Sequence, residues 1–219
     1  MHNVTVAFAA LLVMLLSYFF GCFNGSFMVS HFIIRDDVRK HGSGNAGLTN
    51  FYRTYGAKYA LLVIACDMGK TVAACLLGSF FFRCLGWDGT LGTLLAGLGC
   101  ELGHIFPVFY GFRGGKGILS GGTLVLLLNW RVAAVAWALF LLLWLTTRYV
   151  SLASITATCS APITVYFVYA HNPIYTGLCL AVAALVVWCH RENIQRLLHG
   201  TEKKFKWHVN PTEGKEPPQ

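Results

Sequence analysis

Long apolar runs, interrupted at a few places by clusters of glycine, small polar and basic residues, set the pattern of this chain. Residues 4–20 are almost wholly apolar, and the apolar character continues past Gly21, Asn24, Gly25 and Ser26 to Ile34. That is too long for one straight crossing of a hydrocarbon core ~30 Å thick, so the first span is expected to tilt, break or end within this polar patch. Only Met1, His2 and Asn3 precede it, without the basic residues that open a signal peptide, so it reads as a span with its N-terminus outside. Further runs cover about 59–82, 90–106, 118–146, 152–169 and 174–188, the last beginning at Pro173, where a missing N–H costs little.

The run 118–146 fits either one long helix or two short ones meeting at Asn129, Trp130 and Arg131. Charge decides between them. With two helices, the Lys- and Arg-rich connections at 35–58, 113–116, 148 and 191–215 all fall on one side, leaving only Arg83 and Arg131 on the other. With one helix, Arg148 and the basic tail would change sides, against the excess of positive charge expected in cytoplasmic loops. The expectation is an all-α polytopic membrane protein of seven helices, two of them short, with the C-terminus in the cytoplasm. Residues 1–203 form a single transmembrane domain whose cytoplasmic loops are 35–58, 103–117 and 190–202. Residues 204–219 form a basic tail, disordered at least from Asn210.

Composition agrees with a membrane protein. Hydrophobic residues make up 56% and charged residues 12%, with a mean hydropathy of +0.58, far more apolar than a soluble domain of about 45–50% apolar residues. The net charge of +8 is gathered in a few loops. It fits an anionic membrane surface and anionic substrates and does not call for nucleic acid. Eight cysteines are scattered without a C-x-x-C pair, so they read as small buried hydrophobes, and no metal site is expected.

Three polar clusters share the expected cytoplasmic side. In 103–117, GHIFPVFYGFRGGKG, the glycines allow tight turns and close backbone approach while Arg113 and Lys116 add charge. This outlines a phosphate site, although Gly117 stands where a nucleotide P-loop has Ser or Thr, and a plain basic loop between helices would show the same charge. In 39–53, RKHGSGNAGLTNFYR, the donors Ser43, Asn45, Thr49 and Asn50 lie on a glycine-rich backbone closed by Arg53, again a cradle for phosphate. In 190–202, HRENIQRLLHGTE, His190 and Asn193 lie three apart on one helical face, either turned toward one ligand or part of a helix end with snorkelling arginines.

These three motifs, in this order and between these spans, resemble those of the bacterial acyl-phosphate-dependent glycerol-3-phosphate acyltransferases, the PlsY family. The resemblance extends from Gly21 to Glu202. It implies transfer of a fatty acyl group from acyl phosphate to the 1-hydroxyl of sn-glycerol 3-phosphate, giving lysophosphatidic acid and phosphate. The implied setting is the bacterial inner membrane, with the site facing the cytoplasm and the lipid bilayer as surroundings. The enzyme is expected to work as a monomer without a cofactor. Ser43, Gly44, Asn45, Thr49, Arg53, Gly114, Gly115, Lys116 and Gly117 would bind substrate phosphate, and His190, Asn193 and Ser151 would act at the reacting centre. His104 and Arg113 would bind substrate or anchor the loop. Two phosphates held together need cations. His190 has the pKa suited to accepting the hydroxyl proton, although a donor phosphate oxygen is an equal candidate.

Other polar residues read as structural. His31 and Asp36 match the H-x-x-x-x-D pattern of a different acyltransferase class, but sit at a membrane exit with no soluble domain after them, which makes a chance match. Asp67 and Lys70, three apart, pair with each other or with the loops. Glu202 holds the tail against a basic group, and Glu101 has the same default reading. The rival class, a membrane carrier for phosphate or an organophosphate, would be expected to show an internal repeat and polar residues at midplane, and neither is evident.

Overall fold

The structure is a computed structural model that describes residues 2–206. Among them the regular elements are all helical: α1 (His2–Cys22), α2 (Gly25–Met28), α3 (Leu48–Tyr55), α4 (Ala60–Cys84), α5 (Gly89–Ile105), α6 (Ile118–Leu128), α7 (Trp130–Thr147), α8 (Val150–Val168), α9 (Pro173–Cys189) and α10 (Arg191–Leu198). Five stretches are long and apolar enough to cross a membrane: Val4–Ile34, Ala60–Cys84, Gly89–Tyr110, Trp130–Thr147 and Val150–Val168. A sixth is added if α9 and α10, bent by 59°, are counted together. α6 is apolar but, at 11 residues, only about 16 Å long, roughly half a hydrocarbon core.

The first apolar run breaks at the polar patch. α1 ends at Cys22, the Asn24 side chain caps α2 by accepting from Phe27 N–H at 2.9 Å, and a wide π-helical turn over Val29–Ile34 follows. The second break is at Asn129, which is extended and caps α7 by accepting from Arg131 N–H. Here the chain folds back, because Trp137 Nε1 donates to the Gly122 carbonyl at 3.3 Å. Those residues would be more than about 20 Å apart along one continuous helix. The expected pair of helices is therefore a hairpin, though α7 is a full-length apolar helix and only α6 is short.

α5 is the central helix of the motif-bearing half. It lies against α1 at backbone contact, and a Cβ at Gly103 would stand 1.9 Å from the Tyr18 carbonyl oxygen, so only glycine permits the approach. Beneath the first loop, Phe27, Val38, Ala46, Phe51 and Val63 form a buried cluster that fixes 38–51 onto α2 and α4. A second cluster of Leu94, Val125, Val132, Ala136 and Val165 joins α5 to α8 in the other half.

Candidate active site

A cavity of about 940 Å³ opens at the end of the bundle where the three polar clusters meet. Its inner part is walled by Leu124, Val125, Trp137, Phe140, Ala161, Val182 and Val186 from α6 to α9, and its outer part by His41, Ser43, Asn45, Thr49, Arg53, Lys116, Ser151, His190, Asn193 and Glu202. One space thus has a polar mouth and an apolar interior.

Each polar wall is set by local structure. Asn50 shapes the first loop: its Oδ1 accepts from Ser43 N–H at 2.9 Å, and its Nδ2 donates to the carbonyls of Val38 at 3.1 Å and His41 at 3.0 Å. Gly42 takes a positive φ there, and a Cβ would stand 2.3 Å from Asn50 Oδ1. Arg53 leaves the last turn of α3 and donates to the Lys203 carbonyl at 3.1 Å.

The second loop is anchored by its glycines. Gly114 N–H donates to the Ile105 carbonyl and Gly115 N–H to the His104 carbonyl, while the Gly114 carbonyl accepts from Ala46 N–H. The amides expected to face phosphate at Gly114 and Gly115 are therefore turned to the C-terminal end of α5, whose last carbonyls need donors. A Cβ at Gly114 would lie 2.0 Å from the His104 carbonyl oxygen and one at Gly115 2.1 Å from His104 Nε2. Close packing accounts for these two glycines. Lys116 and Gly117 do line the cavity; Gly44, Arg113, Gly114 and Gly115 do not.

His104 lines the cavity from behind this loop, 3% exposed. Its Nδ1 lies 2.8 Å from Lys70 Nζ, which also donates to the carbonyls of Gly21 and Phe23 and pairs with Asp67 at 2.8 Å. An ammonium only donates, so Nδ1 accepts and Nε2 carries the proton. Asp67 in turn accepts from Gly25 N–H at 3.0 Å. The buried triad thus fastens the break after α1 to α4 and α5, satisfying polar groups that hydrocarbon could not.

The third motif is built on the bend between α9 and α10. His190 caps α9, and its Nδ1 lies 2.8 Å from the Val186 carbonyl. A carbonyl can only accept, so Nδ1 holds the proton and the neutral ring keeps its lone pair on Nε2. Burial pushes the imidazole well below its ordinary value, to about 4, so this neutral form prevails at pH 7. Burial likewise lowers Lys116, whose Nζ donates to Asn193 Oδ1.

Glu202 is the hub of this wall. Ser151 Oγ and Asn193 Nδ2 both donate to its Oε1 at 2.7 Å, and Arg196 Nε donates to Oε2 at 2.7 Å. Burial alone would raise the carboxyl, but these donors hold it below the ordinary carboxylate value. The expected basic partner is thus Arg196. Its part in orienting Ser151 and Asn193 is new, as are the shaping role of Asn50 and the place of Arg196 in the mouth. Glu101 departs from its default reading: it is 1% exposed, and neither carboxylate oxygen has a hydrogen-bond partner among the described residues.

His31 and Asp36 do not act as a pair. The His31 ring stacks on Phe27 with centroids 5.2 Å apart, and Asp36 bonds His41 at 2.9 Å.

A family model described as glycerol-3-phosphate acyltransferase matches residues 11–200. The chain is 38% identical over 189 residues to a glycerol-3-phosphate acyltransferase of Finegoldia magna, covering 86% of this chain and 92% of that one. It is 39% identical over 197 residues to one of Syntrophomonas wolfei, covering 90% and 96%. Among solved structures it is similar to PlsY, an integral membrane glycerol 3-phosphate acyltransferase. The glycerol 3-phosphate form aligns with a TM-score of 0.79 at 36% identity, and the lysophosphatidic acid form with 0.77 at 35%, each over 90% of this chain and 96% of the other.

Proposed function

The chain belongs to the glycerol-3-phosphate acyltransferase family, an integral membrane enzyme of phospholipid synthesis, and on that premise we propose that its acyl donor is acyl phosphate. The observation that carries the proposal is the cavity's division into a polar mouth and an apolar interior within one space. An acyl phosphate, and the lysophosphatidic acid made from it, has this shape. The chain of the donor would lie between α6 and α9, with its phosphate and glycerol 3-phosphate at the mouth.

Two phosphates side by side repel strongly where the dielectric is low, and Arg53 and Lys116 supply the compensating charge. Ser43, Asn45 and Thr49 add donors from the first loop. The donor is already an activated mixed anhydride, so the glycerol 1-hydroxyl attacks its carbonyl carbon directly. The bond to the phosphate oxygen breaks, and inorganic phosphate leaves. His190 Nε2, with its lone pair open to the cavity, accepts the hydroxyl proton, while Ser151 and Asn193 orient the reacting groups. No covalent enzyme intermediate or cofactor is needed.

The hairpin at Asn129 supports a seven-span reading in which α6 is a short crossing, with the N-terminus outside and the three motif loops in the cytoplasm. The crowding of Lys and Arg at that end supports the same orientation. The test is to incubate purified protein with palmitoyl phosphate and radiolabelled glycerol 3-phosphate, and then with palmitoyl-CoA in place of the phosphate. Labelled lysophosphatidic acid is expected from the first alone, and efficient use of the CoA ester would overturn the donor assignment.

A further inference from the structure

After α10 the chain turns at Gly200, whose φ of +69° suits glycine, and residues 201–206 run back over the cavity as a non-helical strap. The Lys203 carbonyl accepts from Arg53 Nη2 at 3.1 Å, and Phe205 N–H donates to the Arg148 carbonyl at 2.8 Å. Between these points the Phe205 ring stacks on Tyr52, with centroids 5.3 Å apart at 23°, and meets Trp144 edge-on at 5.3 Å and 78°. Tyr52 belongs to α3, which carries the first motif, and Trp144 to the last turns of α7, at the entrance of the apolar interior. Phe205, Tyr52 and Trp144 all line the cavity. One half-buried ring therefore joins the two walls where the polar mouth meets the apolar part.

We propose that Phe205 is a positioning residue for acyl transfer, a latch that holds the strap closed over bound acyl phosphate so that its carbonyl meets the glycerol hydroxyl and not water. The inference rests on the acyl-phosphate reading above. The side reaction to be suppressed is hydrolysis. Water attacks the same carbonyl carbon, the carbon–oxygen bond to phosphate breaks, and the proton passes to the departing phosphate, leaving fatty acid and inorganic phosphate. A closed roof favours transfer by excluding water without touching the reacting atoms. An aromatic stack, one backbone–backbone hydrogen bond and one from the Arg53 side chain can part to admit substrate and close again behind it.

The test measures lysophosphatidic acid and free fatty acid together, from palmitoyl phosphate and glycerol 3-phosphate, in wild type, Phe205→Ala, Phe205→Tyr and the double variant Tyr52→Leu with Phe205→Ala. Phe205→Ala is expected to raise the ratio of hydrolysis to transfer about two- to tenfold, the shift that losing one aromatic pair imposes on an open–closed equilibrium. The KM for glycerol 3-phosphate should stay within about twofold, because the phosphate contacts are kept. Phe205→Tyr should restore the wild-type ratio, and Tyr52→Leu combined with Phe205→Ala should be no worse than Phe205→Ala alone, since both remove one latch. Should Phe205→Ala not fold, Phe205→Leu removes the stacking plane at small change in volume and carries the same test. An unchanged ratio, or equal loss of both products, overturns the latch while leaving the donor reading intact. Absence of wild-type turnover with palmitoyl phosphate overturns the donor reading and the latch with it.

Discussion

Ser151 Oγ donates to Glu202 Oε1 at 2.7 Å, tying the first turn of α8 to the start of the C-terminal strap 51 positions later. Because the same carboxylate also takes Asn193 and Arg196, its charge organises one wall of the cavity. Glu202→Gln keeps the size but weakens charge-assisted bonds worth about 1.5–3 kcal/mol each. A lower melting temperature and a reduced kcat are expected. The carboxyl is held below its unfolded value, so its stabilisation is present above the ordinary carboxylate pKa and is lost as pH falls through the lower folded value. Thermal melting followed from neutral pH down through and below the ordinary carboxylate range should show a smaller acid-dependent loss in Glu202→Gln than in wild type. Equal losses would remove Glu202 from this role.

Arg53 and Lys116 are assigned to substrate phosphate. Replacing either with alanine should remove a charge-assisted hydrogen bond of about 1.5–3 kcal/mol, roughly 10–150-fold in kcat/KM. Arg53→Lys should rescue only in part, because an ammonium keeps the charge without the planar fork. Full rescue would reduce Arg53 to a point charge.

His190→Ala should lower kcat about 10²–10⁴-fold with little change in the KM for glycerol 3-phosphate. The group must be neutral to accept a proton, and burial has lowered its pKa. The acid limb of the kcat/KM profile should therefore lie well below pH 6.5 and vanish in the variant. A large rise in KM with kcat near normal would make His190 a binding residue and the donor phosphate the proton acceptor.

For topology, Arg131 and Lys40 are both exposed, at opposite ends of the hairpin-bearing bundle. In a cysteine-free background, Arg131→Cys should react with an impermeant thiol reagent applied outside intact cells, and Lys40→Cys should react only after the membrane is opened. Reversed labelling would invert the orientation.

The sequence by itself determined the apolar runs, the polar break after α1, the two-helix reading of 118–146 and the three motifs whose side chains meet at one mouth. These are local signals: periodicity, glycine and proline placement, and charge within a few positions. Ser43, Asn45, Thr49, Arg53, Lys116, His190 and Asn193 were legible because their types suit phosphate and proton transfer, Ser151 only through the family resemblance, and all of them line the cavity. Tertiary structure decided which backbone amides are free. Those of Gly114 and Gly115 are consumed by carbonyls of α5, a choice set by how closely the loop packs, which residue types do not encode. It also decided that Lys70 fastens His104 to the end of α1, and that Glu202 orients Ser151 and Asn193. Residues 204–206, which the sequence places in the basic tail, include Phe205, packed on Tyr52, while residues 207–219, with the disorder expected from Asn210, lie outside the described residues. Partners such as Arg53 and Lys203, 150 positions apart, are chosen by where the helices come to rest, because a hydrogen bond depends on a few ångströms of geometry that no spacing rule carries.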